Sequence, residues 1–230
     1  MRLDKYISNS TDLSRSEVKR LIRSGTVTIN STTATNPSIK VKKDEIVSLD
    51  GSPIFAFQHR YFMLNKPSGV VSVTKDHEHP TAISLIYEHR NEELQIAGRL
   101  DIDTTGLLLI TDDGKWNHRV TSPKFKCNKL YRVTLANAIE NDYEEKLATG
   151  VLLVGEKRRC KPAKMDKVDS HSVTLSISEG KYHQVKRMFS ALGNHVVKLH
   201  RYQIGDIILD NKLGEGSYRS LTEAEIISII

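Results

Sequence analysis

The sequence predicts an α+β protein whose larger part is built on a mixed, largely antiparallel sheet. Segments in which apolar and polar residues alternate outnumber those with helical spacing, and they do not alternate regularly with helices as in a parallel sheet. Charge is also uneven, since residues 1–57 hold nine Lys and Arg against six Asp and Glu, and residues 58–230 hold 25 against 22. We therefore expect a small basic module, residues 1–57, followed by a body, residues 58–230.

A helix and short strands are predicted in the front module. Ser14 and Glu17 stand at capping-box spacing ahead of an apolar helical face, and Gly25 follows where a helix ends. Residues 26–29 alternate as a strand, and the polar residues after them are typical of a loop. Residues 51–60 contain Gly and Pro without a long flexible run, and we interpret them as a short linker.

The predicted front helix carries a stripe of positive charge. Arg15, Lys19 and Arg23 recur at intervals of four, so they share one helical face. On an arbitrary helix, such a stripe is a solvated surface. In a chain of net charge +6, it also fits a polyanionic partner.

The body begins with a predicted pair of strands in residues 61–73, YFMLNKPSGVVSV, joined by a turn. The run GLLLIT is too short for a typical helix, and we expect it to be a buried strand. KLYRVTLA and HSVTLSI alternate as strands, and GNHVVKLHRYQIGDIIL supplies others. The segment YHQVKRMFSALG has apolar residues at helical spacing and a closing glycine, which predicts a helix.

Composition excludes several classes of protein. No stretch approaches the roughly 18 apolar residues of a membrane span, and the charged start MRLDKYISNS is unlike a signal peptide. Cys127 and Cys160 are far apart, which argues against a disulfide framework or a zinc site and favours the reducing cytoplasm. Residues 77–79, His-Glu-His, have poor spacing for a metal site, and we interpret them as a surface loop.

One stretch concentrates carboxylates: GRLDIDTTGLLLITDDG, residues 98–114. Asp112 and Asp113 precede a glycine after a strand, which is ordinary turn chemistry. Asp101 and Asp103 are too close in one loop to straddle a sugar as a glycosidase pair would. Asp101 lies between Arg99-Leu100 and a buried strand, where a rigidly held carboxylate has an arginine nearby. From the residues alone, it is either a catalytic group or a structural hydrogen-bonding one.

Two family resemblances extend over nearly the whole chain. RLDKYIS, the basic helix, GTVTIN and DEIVSLDG resemble an S4 RNA-binding domain. GRLDIDTTGLLLITDDG resembles the catalytic motif of pseudouridine synthases, and the match continues in YFMLNKPSGVV, HRVTSPKFKCNKLYRVTL and ISEGKYHQVKRMFSALGNHVVKLHR. Within that family, the chain resembles most the 16S rRNA pseudouridine synthases of the pseudouridine-516 type, which carry an N-terminal S4 domain.

The resemblance implies roles for particular residues. Asp101 falls on the family's nucleophile, Tyr131 on the tyrosine that contacts the target uracil, and Lys186 on the basic partner of the aspartate. Many members have arginine at that last position, so Arg187 is the alternative partner, and lysine lacks the bidentate geometry of arginine. Asp103, Asp112 and Asp113 are then structural, and Tyr131 has the alternative of being a core tyrosine.

The other residues that we expect to bind substrate are basic: Arg99, Arg187, Arg15, Lys19 and Arg23.

The implied reaction is the isomerisation of one uridine in 16S rRNA to pseudouridine, on a base flipped out of its stack. It involves no net redox change, so no cofactor and no metal are expected. The implied partner is 16S rRNA, either naked or within a partly assembled small subunit, and we expect a cytoplasmic monomer with no membrane contact. Two alternatives are a large-subunit (23S) rRNA pseudouridine synthase and a non-catalytic RNA-binding assembly factor. The sequence KYHQVKRMF favours the small-subunit enzymes over the large-subunit ones.

Overall fold

A computed structural model describes residues 1–55, 58–125 and 127–229. They fall into two units, Met1–His59 and Arg60–Ile230. The predicted boundary between residues 57 and 58 touches residue 57, which lies outside the described residues. Within the described ranges, no helix combines the length and the apolar character that a bilayer crossing requires.

The front unit joins two helices to a small antiparallel sheet with the strand order β2-β1-β3-β4. Its helices are α1 (Leu3–Ser10) and α2 (Arg15–Arg23), and its strands are β1 (Val27–Ile29), β2 (Thr32–Thr33), β3 (Val47–Leu49) and β4 (Ser52–Ile54). Apolar side chains from both helices and from β1 and β3 form one buried core: Leu3, Ile7, Val18, Ile22, Val27, Ala34, Val41 and Val47.

Helix α2 forms where its capping signals predict. The Ser14 side chain accepts a hydrogen bond from the Glu17 backbone, and the Glu17 side chain accepts one from the Ser14 backbone, which completes the capping box. Gly25 follows with φ +80°, a left-handed conformation that glycine adopts without strain. The linker interpretation is wrong for the first part of residues 51–60, because β4 pairs with β3 inside the front unit. A strand of only three residues, one of them Pro53, is too short for an alternation of apolar and polar residues to predict it.

The larger unit contains one mixed sheet with helices on both faces. The strands are β5 (Tyr61–Lys66), β6 (Gln95–Ala97), β7 (Thr105–Thr111), β8 (Lys129–Leu135), β9 (Lys164–Lys167), β10 (Ser172–Ile177), β11 (Val196–Ile204), β12 (Ile207–Ile208) and β13 (Tyr218–Ser220). The helices are α3 (Gly114–Thr121), α4 (Tyr143–Thr149), α5 (Gln184–Ala191) and α6 (Glu223–Ile227). The strand order is β13-β5-β7-β11-β8-β10-β9, with β6 added to β7 and β12 added to β11.

Both faces of strand β7 are buried, which explains its unbroken apolar run. Leu108 and Ile110 face a core that includes residues of α4 and α5. Leu107 and Leu109 face a second core that includes Trp116 of α3. The predicted α+β class with a largely antiparallel sheet is confirmed, since most described pairings are antiparallel and β7 runs parallel to β11.

The parallel contact between β7 and β11 depends on a glycine. Gly106 lies opposite Arg201 with φ +102°. A Cβ atom at this position would lie 2.3 Å from the Arg201 carbonyl oxygen, far inside contact distance. This close approach brings the segment before β7 next to the inward-facing side chains of β11.

The second strand predicted in residues 61–73 is wrong. Beyond β5 the chain turns and forms only an isolated bridge, between Val71 and Thr81. The backbone groups of residue 100 explain the difference, because the Ser72 hydroxyl donates to the Leu100 carbonyl (2.8 Å) and accepts from the Leu100 amide (3.1 Å). The apolar run VVSV therefore packs against the loop before β7 instead of joining a ladder.

Candidate active site

A cleft of about 940 Å³ opens beside the parallel strands β7 and β11. Three of the predicted site residues line it: Arg99, Asp101 and Tyr131. Its other walls include residues 179–185, which lead into helix α5, and the side chain of Arg201 from β11. The cleft therefore lies where the carboxylate-rich stretch, residues 98–114, meets the segment that leads into α5.

The backbone around Asp101 is held on both sides. Before it, Leu100 is fixed by Ser72 as described above. After it, the Thr104 amide donates to the Asp101 carbonyl (3.1 Å), and the Gly69 amide donates to the Ile102 carbonyl (2.9 Å). Strand β7 then begins at residue 105. A carboxylate on so constrained a turn has little freedom to move. A reacting group must be held in place in this way.

A fully buried lysine supports the same turn from behind. The Lys66 ammonium donates to the carbonyls of Pro67 (2.8 Å), Val70 (2.7 Å) and Ile102 (3.3 Å). Burial lowers the pKa of Lys66 to about 8, although Asp103 and Asp101 act in the opposite direction. Lys66 thus fixes the loop that presents Asp101 and adds positive charge behind it.

Asp101 lies between two basic side chains at the start of helix α5. Lys186 Nζ lies 3.3 Å from Asp101 Oδ2, and His183 Nε2 lies 3.5 Å from Oδ1. Lys186 also contacts Asp103 Oδ1 at 2.5 Å. Burial lowers the pKa of Lys186, but the two carboxylates outweigh that effect and raise it, so the lysine is a cation.

Sequence reasoning gave Asp103 only a structural role and missed His183. Burial raises the pKa of Asp103, but the hydrogen bond and the charge of Lys186, together with smaller effects that include the charge of His183, outweigh burial and lower the pKa, so Asp103 contributes a second negative charge to the site. His183 adopts a left-handed backbone (φ +47°), and its ring stacks on that of Tyr182 at a centroid distance of 3.8 Å. Such a backbone is uncommon for residues other than glycine, although histidine adopts it more often than most. Nothing in the local sequence signalled it.

The structure distinguishes between Lys186 and Arg187 as the neighbour of Asp101. Lys186 faces the carboxylate, whereas the Arg187 guanidinium donates to the carbonyls of Val154 (2.8 Å) and Tyr182 (3.1 Å) and pairs with Glu156 (3.4 Å). Successive residues of a helix point about 100° apart, so only one of the two can face Asp101.

Tyr131 lies on β8 opposite Arg201 on β11. Arg201 is 1% exposed, although it is a cation. It donates to the carbonyls of Leu107 (2.9 Å) and Gly98 (2.7 Å), and its Nη1 lies 3.5 Å from the Tyr131 hydroxyl. Sequence reasoning missed Arg201, yet the alternation in KLHRY placed it on the same face as the buried Leu199, which was an available signal.

The remaining predicted residues are Arg99 in the larger unit and Arg15, Lys19 and Arg23 in the front unit. Arg99 is exposed at the wall of the cleft, and the basic groups that contact Asp101 are Lys186 and His183 instead. In the front unit, Lys19 and Arg23 lie on the surface side of α2. Arg15 has a second role there, because its Nη2 lies 3.3 Å from the fully buried carboxylate of Asp4.

The two later aspartates of the motif are structural, as predicted. Asp112 pairs with Arg60 (2.7 Å), and Asp113 caps helix α3 by accepting from the amides of Lys115 and Trp116. The His-Glu-His segment is an exposed loop in which Asp76 accepts from the amides of Glu78 and His79. Across the described ranges, no three His, Cys, Asp or Glu side chains converge as metal ligands.

This geometry agrees with comparisons to known proteins. The family model for RNA pseudouridylate synthase matches residues 60–191, and the S4 domain model matches residues 1–47. The chain belongs to the RNA pseudouridylate synthase family.

Curated members of this pseudouridylate synthase family match the chain from end to end. Proteins named ribosomal small subunit pseudouridine synthase A are 50% identical in Escherichia coli K12 and 48% identical in Haemophilus influenzae, each covering 100% of both chains. A solved structure described as a pseudouridylate synthase is 46% identical, with a TM-score of 0.73 over the full length of both chains. The fold expectation of an S4 domain followed by a synthase domain is therefore confirmed.

Proposed function

We propose that this synthase isomerises one specific uridine of 16S ribosomal RNA to pseudouridine, with Asp101 as the nucleophile. The observation that carries the proposal is the position of Asp101: it lies on a fixed turn, between Lys186 and His183, and its side chain borders an open cleft. The full-length relatives named for the small ribosomal subunit support the choice of rRNA.

In the proposed reaction, the N1–C1′ bond of the uridine breaks, the base rotates, and C1′ bonds to C5. The proton on C5 leaves and N1 gains one, so the atoms balance without an external oxidant or reductant. Asp101 adds to C6 of the uracil, attacks C1′ of the ribose, or acts as the base in a route that removes the 2′ proton. Each route uses an ionised carboxylate that is shielded from bulk water, and the cation of Lys186 offsets the cost of that shielding.

Tyr131 is proposed to provide the surface against which the flipped uracil lies. Aromatic rings commonly stack on splayed bases of single-stranded RNA, and flipping costs a few kcal/mol that such contacts offset. Its ring is 7% exposed at the cleft, and Arg201 holds its hydroxyl. We assign Arg99, at the cleft wall, to the RNA strand beside the target base.

The front unit is proposed to bind RNA without taking part in the chemistry. Lys19 and Arg23 present positive charge along one side of α2, where phosphates would replace counterions. The proposed partner is 16S rRNA, either naked or in a partly assembled small subunit, and the proposed enzyme is a cytoplasmic monomer.

The test is to incubate purified protein separately with 16S rRNA, with small-subunit assembly intermediates and with 23S rRNA, and to map pseudouridine at nucleotide resolution. We expect one modified uridine in 16S rRNA and none with Asp101→Asn. Modification of 23S rRNA alone would favour the large-subunit alternative. Tight binding with no modified base in naked rRNA or in assembly intermediates would favour a non-catalytic assembly factor.

A further inference from the structure

The larger unit carries a second concentration of positive charge, in the loop between α4 and β9. Residues 157–161 read KRRCK, and the side chains of Lys157, Arg158, Arg159 and Lys161 are exposed. We call residues 154–161 the basic loop. Four cations within five positions repel one another, so the sequence bears an electrostatic cost that a polyanionic ligand would relieve.

The basic loop is fastened at its base. The Cys160 amide donates to the Val151 carbonyl (2.8 Å), and Cys160 itself is 4% exposed. Gly150 makes this closure possible, since a Cβ atom there would lie 2.3 Å from the Cys160 carbonyl oxygen. The cations therefore project from a closed hairpin-like segment rather than from a loosely attached one.

The same loop is docked on the wall of the active-site cleft by two further sets of bonds. Glu156 lies between Lys181 (3.2 Å) and Arg187 (3.4 Å). On the other side, the Lys161 amide donates to Glu179 (2.9 Å), which also accepts from the Gln184 side chain (3.0 Å).

These anchors connect the loop to the cleft itself. Glu179, Lys181 and Gln184 all line the cleft that contains Asp101. The single acid of the loop, Glu156, is bonded to Lys181 and Arg187, which lower its pKa, so its charge is engaged away from the loop cations. Within the described ranges, the ion pairs of this region are those of Glu156 with Lys181 and Arg187, so the exposed side chains of Lys157, Arg158, Arg159 and Lys161 have no acidic side chain paired with them there.

Helix α5 thus has two adjacent residues with different partners. Lys186 faces Asp101, and Arg187 holds the carbonyl of Val154 and the carboxylate of Glu156. Through Lys186, helix α5 supplies the counter-charge of Asp101. Through Arg187, the same helix fixes the position of the basic loop.

We propose that the basic loop binds the phosphate backbone of the RNA strand that flanks the target uridine. Arg187 and Glu156 are positioning residues that hold the loop in register with the cleft. This inference rests on the proposed function, because it takes RNA as the substrate, but it assigns the binding to a surface outside the cleft and outside the front unit.

The test compares two triple variants of the full chain. Lys157→Gln/Arg158→Gln/Lys161→Gln removes three loop charges, and Lys115→Gln/Lys198→Gln/Lys212→Gln removes three exposed charges elsewhere in the same unit. Binding of 16S rRNA is measured across salt concentrations, and steady-state rates are measured by tritium release from C5-labelled RNA.

We expect the loop variant to flatten the slope of log Kd against log salt by about 2 and to weaken binding about 10- to 100-fold at about 0.15 M salt. Its loss of rate should lie in KM. The control variant should change the slope by less than about half as much. An equal change in both variants would mean that general charge, and not the loop, is responsible, and an unchanged slope in the loop variant would overturn the proposal outright.

The anchoring is tested with Glu156→Gln, which keeps the shape of the side chain and removes its charge. We expect KM to rise several-fold and the salt slope to fall, although no loop cation has been removed. An unchanged salt slope would contradict the positioning role. Failure of the wild-type protein to modify any rRNA would refute the proposed function instead, and the binding measurement would still decide whether the loop contacts RNA.

Discussion

Two ion clusters in the larger unit contain the same kinds of charged group but differ in how fully their carboxylates are hydrogen-bonded. In the first, Lys186 lies between Asp101 and Asp103. In the second, Arg219 lies between Asp210 and Glu225. Each cluster contains one cation and two carboxylates; the first joins residues 101–103 to residue 186, and the second lies within residues 210–225.

The second cluster is saturated with hydrogen bonds. Arg219 binds both oxygens of Glu225 (2.9 and 2.8 Å), and Thr222 donates to Glu225 as well (2.7 Å). Asp210 accepts from Arg219 (3.1 Å) and from the Lys212 amide (2.9 Å). Every carboxylate oxygen therefore has a partner, and the cluster fastens α6 to β13.

In the first cluster, the carboxylate of Asp101, the proposed nucleophile, is less fully bonded. Asp101 has only longer contacts, at 3.3 Å to Lys186 and 3.5 Å to His183, and it borders the cleft. A lysine acts as a point charge there, whereas the planar fork of Arg219 matches a carboxylate on two sides. Under the proposed function, the number and length of the bonds to the carboxylates, rather than the presence of charge, separate the structural cluster of Arg219 from the reactive cluster of Lys186.

The largest effect is expected from Asp101→Asn. The substitution is nearly isosteric but removes the nucleophilic charge, so turnover should fall by about three orders of magnitude or more while the midpoint of unfolding changes little. Tritium release and urea unfolding measure the two quantities. Appreciable turnover in a folded variant would refute the assignment of Asp101.

The next effect is expected from removing the cation of each cluster. Lys186→Met leaves Asp101 without its counter-charge, so we expect kcat to fall about 100-fold with a modest loss of stability. Arg219→Met should do the reverse, lowering stability while kcat stays close to the wild-type value.

Two control variants test whether the expected loss of kcat is specific to Lys186. Lys198→Met removes an exposed lysine on β11 and should leave kcat nearly unchanged. Arg187→Met removes the neighbouring cation of α5 and should act mainly on KM. If Arg187→Met reduced kcat more than Lys186→Met, the partner of Asp101 in the reaction would be Arg187, contrary to the geometry.

A smaller effect, on stability alone, is expected from Glu225→Gln. The bonds from Arg219 lower the folded-state pKa of Glu225 to about 2, against an ordinary value of 4.5. A carboxyl with a lowered folded-state pKa stabilises the fold above its ordinary pKa, and this contribution disappears as the pH falls through the folded value. Allowing for partial exposure, we expect roughly 1–2 kcal/mol at neutral pH, and less than half of it at about pH 3.

Glu223→Gln is the matched control for that variant. It removes the same charge from the exposed first residue of α6 and should cost less than about 0.5 kcal/mol. Urea unfolding at the two pH values measures both variants. A difference between Glu225→Gln and wild type that persisted unchanged in acid would show that the bonds do not depend on the ionised carboxylate.

The smallest effect is expected in the front unit, which contains both kinds of charge. Arg15 and Arg2 enclose the buried carboxylate of Asp4, and together they lower its pKa against the opposing effect of burial. Arg15 thus belongs to a closed cluster, so Lys19→Gln/Arg23→Gln is the cleaner test of RNA binding. We expect the salt slope of rRNA binding to fall by about 1.4–1.8, with maximal rate recovered at saturating RNA.

Lys40→Gln/Lys43→Gln is the control within the same unit, because both residues are exposed and lie outside α2. It should change the slope by less than half as much. A stripe variant that bound rRNA with the wild-type slope would mean that this side of α2 faces solvent in the complex.

Local signals in the sequence were sufficient for several of the elements. Helix α2 has a capping box and a terminal glycine, α5 has apolar residues at helical spacing, and β7 is an apolar run of strand length. The errors arose where non-local bonds decide the outcome. Residues 70–73 have strand-like composition, but Ser72 binds the backbone of Leu100 instead of a neighbouring strand.

The site shows the same limit. The neighbourhood of Asp101 followed from motif and resemblance, including the choice of Lys186 by position. His183 was missed because its orientation depends on a left-handed backbone, which only the packed structure reveals. Glu156 was missed because its partners, Lys181 and Arg187, are 25 and 31 residues away along the chain.

The contact between Gly106 and Arg201 restricts how this protein can vary over evolutionary time. Since a methyl group would meet the Arg201 carbonyl at 2.3 Å, any other residue must separate two strands at the centre of the sheet. That separation would move the turn bearing Asp101 away from Arg201 and Tyr131. A substitution of Gly106 would therefore disturb the sheet and the cleft at the same time. Position 106 therefore admits no side chain unless the two strands beside the cleft move apart.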